Sequence, residues 1–478
     1  MEVVPPADRP DRHLDRRILT LAIPALGAIA AEPLYSLADT AVVGHLGRTP
    51  LDALAVAATA MSTLSWTVAF LNTATTSAVA RARGAGDHAA AGRAAGAAYV
   101  LALAVGAVMV LFIELAAPLI ARVLGAGPGG LDPAVTYLRL AAIGMPFLFV
   151  SFAGAGQMTG LANTVMTLRV AVGANVVNIA LEVLLVFGAG LGLRGSALGT
   201  VAAQVAAAGA YVMVSWRQGD LSPRRPRPRE VQGLLGDGLQ LTVRTLALSV
   251  APVGLTAVAA RISATALAGN QVAVRIWSAI SLLFDALAVP AQVFVSDALG
   301  RRDPPAGVRV GRRVLWFGAA AGVGFGLLTV GAAWIVPLLV SPDPAVQHAA
   351  RIALLVGAAC QPAAAAAFVL DGLVLGLGDY AALRRTMLLA LIVFVPLAGA
   401  TLRWPGLGLA WLWMAYGVWL LTRTALLGRR WHTFAGPAAQ AESAAGTGTG
   451  ARPPAGAVPG TADASAVGEA AGEAVGPA

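Results

Sequence analysis

Long apolar runs separated by short Arg-bearing connections fill most of the chain. A membrane-crossing helix needs about 20 apolar residues at roughly 1.5 Å each. Twelve runs meet that length: residues 18–44, 51–80, 92–121, 134–160, 165–190, 195–216, 234–260, 264–298, 307–337, 346–376, 383–403 and 406–428. They are continuous and rich in Ala and Leu, without the alternation of a barrel strand, so they predict helices. The expected fold is an all-α polytopic membrane protein with twelve transmembrane helices, spans 1 to 12.

The polar positions give the runs direction and grouping. With the N-terminus inside, the inner connections carry Arg81, Arg83 and Arg93, then Arg169, then Arg217 and Arg224 to Arg229, and later Arg301 to Arg313, Arg384 and Arg385. The last inner group is Arg423, Arg429 and Arg430, whereas the outer connections hold only Arg48, Arg122, Arg194, Arg261 and Arg403. Positive charge inside sets this orientation, with both termini cytoplasmic. The charged, Pro-containing stretch 217–233 divides the spans six and six. Gly156-Gln-Met-Thr-Gly160-Leu-Ala-Asn163 and Gly372-Leu-Val-Leu-Gly376-Leu-Gly-Asp379 share one pattern at the close of the fourth span of each half. An even number of spans per half means parallel repeats, the plan of a transporter with its site between lobes. The expected organisation is a cytoplasmic N-terminus 1–17, lobes at 18–216 and 234–428, the linker 217–233 between them, and a cytoplasmic, mostly disordered tail at 429–478.

Several polar side chains do not belong in lipid. Asp39 sits about 21 residues into span 1, roughly 31 Å from its inner end. A carboxylate there must titrate, pair or bind a cation, because its charge costs at least a few kcal/mol in hydrocarbon. Asn175, Asn178 and Glu182 have the spacing of one helical stripe in span 5, with Glu182 about 25 Å deep. Tyr137 and Thr200 open spans 4 and 6 from the outside. Asp39, Tyr137, Asn178, Glu182 and Thr200 thus share a depth and suit a shared proton, or Na⁺ held by Asp39, Asn178, Glu182 and Thr200. Each polar residue alone has a plainer reading as helix–helix glue; the common depth favours a site.

The C-terminal half places Arg244, Asp285 and Asp371 near one level. Arg244 stays charged, so it is expected to pair with Asp371 or Asp285 and to leave the other carboxylate for substrate. The alternative is that Arg244 snorkels to the headgroups. Pro24 is the candidate hinge of span 1, because a bend there moves Asp39.

Composition agrees: 58% of residues are hydrophobic and 12% charged, beyond the range of an ordinary soluble domain. The net charge of +9 is carried by Arg and reads as topology, not nucleic-acid binding. The single Cys360 excludes a disulfide framework, and no zincin, Walker or nucleophile-elbow arrangement points to an enzyme. Arg9, Arg12, Arg16 and Arg17 with no cleavage site after them read as a retained N-terminus, not a signal peptide.

Glu32-Pro33-Leu34, Asp39 and Val43-Gly44-His45-Leu46-Gly47, with NVVNIALEVLLVFGAGLGLRGSALGTVAAQ, FDALAVPAQ and LDGLVLGLGD, resemble the MATE family of multidrug and toxic compound extrusion transporters, in its DinF-like branch. The resemblance covers about residues 15–430. It implies an alternating-access antiporter that exports cationic or amphipathic organic compounds against H⁺ or Na⁺. It also implies a cation site at Asp39, Tyr137, Asn178, Glu182 and Thr200, no cofactor, and a monomer in the cytoplasmic membrane. Glu182 stands where the branch often has Asp, Asn270 where His is expected, and Ala286 where Gly is frequent. The alternatives are a flippase of lipid-linked intermediates, which needs a more cationic cavity, and a non-transporting receptor or scaffold, which needs no titratable groups at one depth.

Overall fold

The computed structural model describes residues 9–127, 129–220 and 226–446. All regular structure among them is helical. Span 1 is Arg9–Gly44, and span 2 is two helices, Arg48–Val68 and Phe70–Gly84, separated at Ala69. Span 3 is His88–Val123, and span 4 joins Leu131–Ala142 to Met145–Gly160 through a 49° bend. Gly144 and Pro146 sit at that bend, where a missing backbone N–H and a missing Cβ make a break inexpensive. Span 5 is Thr164–Val183 with a π turn at Leu184–Gly188, and span 6 is Leu193–Arg217. Spans 7 to 12 are Pro228–Ile262, Ala264–Gly300, Pro304–Val340, Pro344–Leu377, Tyr380–Arg403 and Gly408–Gly446. Ten of these are long and apolar enough to cross a membrane singly, and the bent pair makes eleven. Span 12 is less apolar because it carries Trp411, Trp413, Trp419 and Arg423.

Several helices outrun the bilayer. Thirty-six residues in span 1 make about 54 Å, against roughly 30 Å of hydrocarbon. Residues 9–17, expected as a separate N-terminus, are the first turns of span 1, and span 7 begins inside the expected linker at Pro228. Residues 429–446, expected in a mostly disordered tail, continue span 12 as helix; Trp431 is buried in the core, and a Cβ on Gly311 would strike its ring. The rest of the expected tail, 447–478, and linker residues 221–225 lie outside the described residues.

The two halves superimpose in sequence at a constant register. Gly84 and Gly300, Asp87 and Asp303, Gly156 and Gly372, and Asn163 and Asp379 are each 216 positions apart. The shared Gly-x-x-x-Gly is a packing surface. A Cβ on Gly156 would strike Asn72 of span 2, and one on Gly160 would lie 2.8 Å from the Thr76 carbonyl. Gly372 and Gly376 stand in the same way against Ala288 and Gln292 of span 8. Small residues let these backbones meet in a medium that gives no hydrophobic drive. The polar residue that closes the pattern is an N-cap: Asn163 accepts from the Met166 N–H at 3.2 Å and Asp379 from Ala382 at 3.0 Å. Asp87 and Asp303 cap spans 3 and 9 alike.

The lobes meet at the end of the bundle that carries both termini. Gly84 abuts the Asp297 carbonyl while Gly300 abuts that of Arg81, a reciprocal contact between spans 2 and 8. Around it, Arg83 pairs with Asp297 at 3.5 Å, Asp15 with Arg313 at 2.5 Å and Arg93 with Glu230 at 3.1 Å. Gln292 donates to the Thr73 carbonyl at 2.8 Å, and Ser77 to that of Leu375 at 3.1 Å. A hydrophobic core runs from the N-terminal lobe through this junction into Val293, Phe294 and Leu373.

Candidate functional site

Spans 1, 4, 5 and 6 converge on Asp39 in the half of the N-terminal lobe away from the termini. Asp39 is buried and accepts a hydrogen bond from the Ser196 hydroxyl at 3.0 Å. Glu182 is wholly buried and is the electrostatic neighbour of Asp39, with Ser196 also beside it. Span 6 comes this close because Gly199 faces the backbone of Glu182; a Cβ there would lie 3.2 Å from it. Neither Glu182 oxygen has a hydrogen-bond partner, nor does the buried Asn178 Oδ1. Buried polar atoms are ordinarily paired, and three orphaned acceptor oxygens in one cluster are the arrangement a proton or a hard cation completes.

Tyr137 is buried against Asp39, Ser196 and Thr200. Thr200 shares a 3.1 Å hydrogen bond with the Tyr35 hydroxyl and donates to the Ser196 carbonyl. The five residues expected at one depth therefore lie together. Two more complete the cluster, Tyr35 and Ser196. Each stands four residues before a predicted member, Tyr35 before Asp39 and Ser196 before Thr200, which is one helical turn on the same face. That spacing was the available signal. Asn175 turns away and donates to the Ala31 carbonyl at 2.8 Å, so it ties span 5 to span 1. Pro24 lies inside an unbroken helix and lines a surface groove.

The C-terminal lobe holds a second set of charges. Arg244 is ion-paired to Asp371, with the side chains 14% and 6% exposed, and it does not snorkel. Asp285 makes no ion pair among the described residues; it is exposed, with Arg244 and Arg423 as its charged neighbours. Arg423, expected among the inner connections, is instead buried at 1% exposure, because span 12 continues as helix well past it. Its guanidinium lies 4.6 Å from the Trp419 ring centroid and 5.7 Å from that of Phe368, while Nε and Nη2 have no hydrogen-bond partner. Stacking on aromatic faces supports a desolvated guanidinium.

Twelve spans in two parallel six-helix lobes, with ionisable groups buried in each, define a membrane transporter of the two-lobe kind. The chain belongs to the MatE family, whose sequence profile matches residues 24–184 and 242–399. It is 32% identical to the Arabidopsis thaliana protein DETOXIFICATION 44, chloroplastic, over 432 residues, covering 87% of this chain and 81% of that one. With the DNA damage-inducible protein F of Escherichia coli it shares 26% identity over 87% of this chain and 92% of that one. The fold matches a crystal structure of MATE in the bent conformation at a TM-score of 0.83 and 19% identity, over 90% of this chain and 97% of the other.

Proposed function

We propose that this chain is a secondary active antiporter that exports cationic or amphipathic organic compounds in exchange for H⁺ or Na⁺, with Asp39 and Glu182 as the coupling pair. The observation that carries the reading is the pair itself: two carboxylates buried together, without a basic partner among the described residues, beside hydroxyls and an orphaned Asn178 oxygen. A pair placed in this way, with orphaned oxygens around it, is completed by one shared proton or by a cation. Na⁺ would take Asp39, Asn178, Glu182 and Thr200, with Tyr137 closing the site. Occupation of the site and release of the organic compound alternate as the lobes rock about their junction. Asp285 offers the carboxylate for a cationic substrate, and the Arg244–Asp371 pair holds the wall behind it.

The same reading sets the topology. Arg-rich connections put the two chain ends and the connection between spans 6 and 7 on the cytoplasmic side of a monomer in the cell membrane, with spans 1 to 6 and 7 to 12 as the two lobes. The junction at the termini end then closes the cytoplasmic side. Bulky apolar cations and the bilayer are its partners; no enzymatic step or nucleic acid is involved. The names of sequence relatives, a DETOXIFICATION protein and a probable multidrug resistance protein of Caulobacter vibrioides, support the substrate class.

The test is efflux of a fluorescent organic cation from proteoliposomes with a pH or a Na⁺ gradient imposed separately. Wild type should respond to one gradient, and Asp39→Asn should lose the response while remaining folded in the membrane. Undiminished gradient-driven efflux in Asp39→Asn removes the pair from the mechanism.

A further inference from the structure

An open groove of about 510 Å³ runs along the termini end of span 1 and reaches Val165 at the start of span 5. That volume far exceeds the roughly 30 Å³ of a water molecule and suits a chain-shaped ligand. Arg12, Arg16, Leu19 or Thr20, and Ile23 repeat at helical spacing along it, so one face of span 1 forms the wall. The wall changes character with depth. Arg12 and Arg16, both exposed, stand at the end nearer the N-terminus; Leu19, Ile23 and Val165 follow at 40%, 65% and 38% exposure, with Pro24 beside them. Arg16 to Ile23 spans about 10 Å of helix, the scale of the step from headgroup to acyl chain.

Among the described residues the charge at the mouth is not compensated. Asp15 also lines the groove, but Arg313 of span 9 holds both its oxygens at 2.5 Å. Neither Arg12 nor Arg16 makes an ion pair among the described residues. Two guanidiniums over an exposed apolar trough, in a chain that crosses a membrane, match an acidic headgroup above an acyl chain. We propose that this groove is a binding site for an anionic phospholipid of the termini-side leaflet, with its phosphate on Arg12 and Arg16 and an acyl chain along Leu19, Ile23 and Val165. Such a lipid lies against Pro24, in the helix that carries Asp39.

The test uses the purified full chain in mixed micelles of dioleoyl phosphatidylglycerol or dioleoyl phosphatidylcholine, with bound lipid counted by native mass spectrometry. Phosphatidylglycerol should be retained in preference to phosphatidylcholine. Arg12→Gln/Arg16→Gln should bind it roughly 20-fold more weakly, since each surface arginine contributes a several-fold factor. Ile23→Trp, which fills the trough and leaves the charges, should also weaken it. Arg385→Gln/Arg429→Gln, exposed arginines elsewhere on the same end, should change nothing. Melting in phosphatidylcholine verifies that each variant is folded. Equal retention of the two lipids, unchanged phosphatidylglycerol binding in both groove variants, or equal protection by soluble glycerol phosphate would each overturn the proposal.

Discussion

Replacing Arg244 by Ala leaves Asp371 buried with no ion-pair partner among the described residues. The two side chains are 14% and 6% exposed, so water cannot take over, and Asp371 Oδ1 already lacks a partner. Removing one member of a buried pair costs about 3–5 kcal/mol, most of it the penalty of the charge left behind. For a chain this long, 1 kcal/mol moves the melting midpoint by ~1–2 °C, so Arg244→Ala should lower it by roughly 3–10 °C. Removing the stranded charge should restore part of the loss. Arg244→Ala/Asp371→Asn should therefore melt above Arg244→Ala, with a coupling of at least about 1 kcal/mol. Arg244→Ala/Asp285→Asn should show much less recovery, because Asp285 is exposed and only a neighbour of the pair. The assay is thermal unfolding of purified variants in one detergent, run as two double-mutant cycles. Strict additivity in the Asp371 cycle would refute the reasoning, and equal coupling in both cycles would mean that Arg244 is shared between the carboxylates.

Na⁺ should raise the melting midpoint above that in equal K⁺, by linkage to the folded state, and Glu182→Gln should abolish the difference; identical curves in the two salts assign the coupling to H⁺. Gly84→Leu should wedge apart the junction of spans 2 and 8, where even a Cβ meets the Asp297 carbonyl. A Ser77→Cys reporter, buried in that junction, should then react with a maleimide from the termini side several-fold faster than with Gly84 intact; an unchanged rate would mean that the lobes do not part there.

The span count, the six-plus-six division and most of the cluster around Asp39 were legible because lipid punishes polar atoms. A carboxylate in an apolar run is conspicuous in a way that a buried Asp in a soluble protein is not. Counting at 1.5 Å per residue then brought four helices to one depth, since long helices keep their rise. What lay outside this logic was local. Nothing marks the break at Ala69, where neither Gly nor Pro interrupts span 2. Tyr35 and Ser196 were passed over because a hydroxyl in a membrane helix can satisfy itself on its own backbone, as Thr59 and Thr63 do. Arg423 was misplaced for a related reason. Arg423 falls inside the expected run 406–428, yet counting charge groups it with Arg429 and Arg430; span 12 continues to Gly446, which leaves Arg423 inside the bundle among aromatic rings. Arg429 and Arg430 mark the end more faithfully, and Arg430 pairs with the cap residue Asp379 at 2.6 Å.

The constant register shows how one repeat came to carry two different sets of buried polar residues. Advancing Asp39, Asn178, Glu182 and Ser196 by 216 positions arrives at Leu255, Phe394, Ala398 and Leu412, all buried in the apolar core of the C-terminal lobe. Stepping back from Arg244, Asp285, Asp371 and Arg423 arrives at Ala28, Ala69, Ala155 and Ala207. Each lobe is therefore apolar where the other is charged, although the glycines and caps that hold the helices together are common to both. The division has a physical reason. A carboxylate pair that takes up a proton or a cation must be free of fixed positive charge, or the guanidinium would occupy it permanently. Arg244 and Arg423 in the same lobe would do that to Asp39 and Glu182. With the arginines across the lobe boundary, no guanidinium stands beside Asp39 and Glu182 among the described residues, whereas Arg244, Arg423, Asp285 and Asp371 bring two charges of each sign together in the C-terminal lobe.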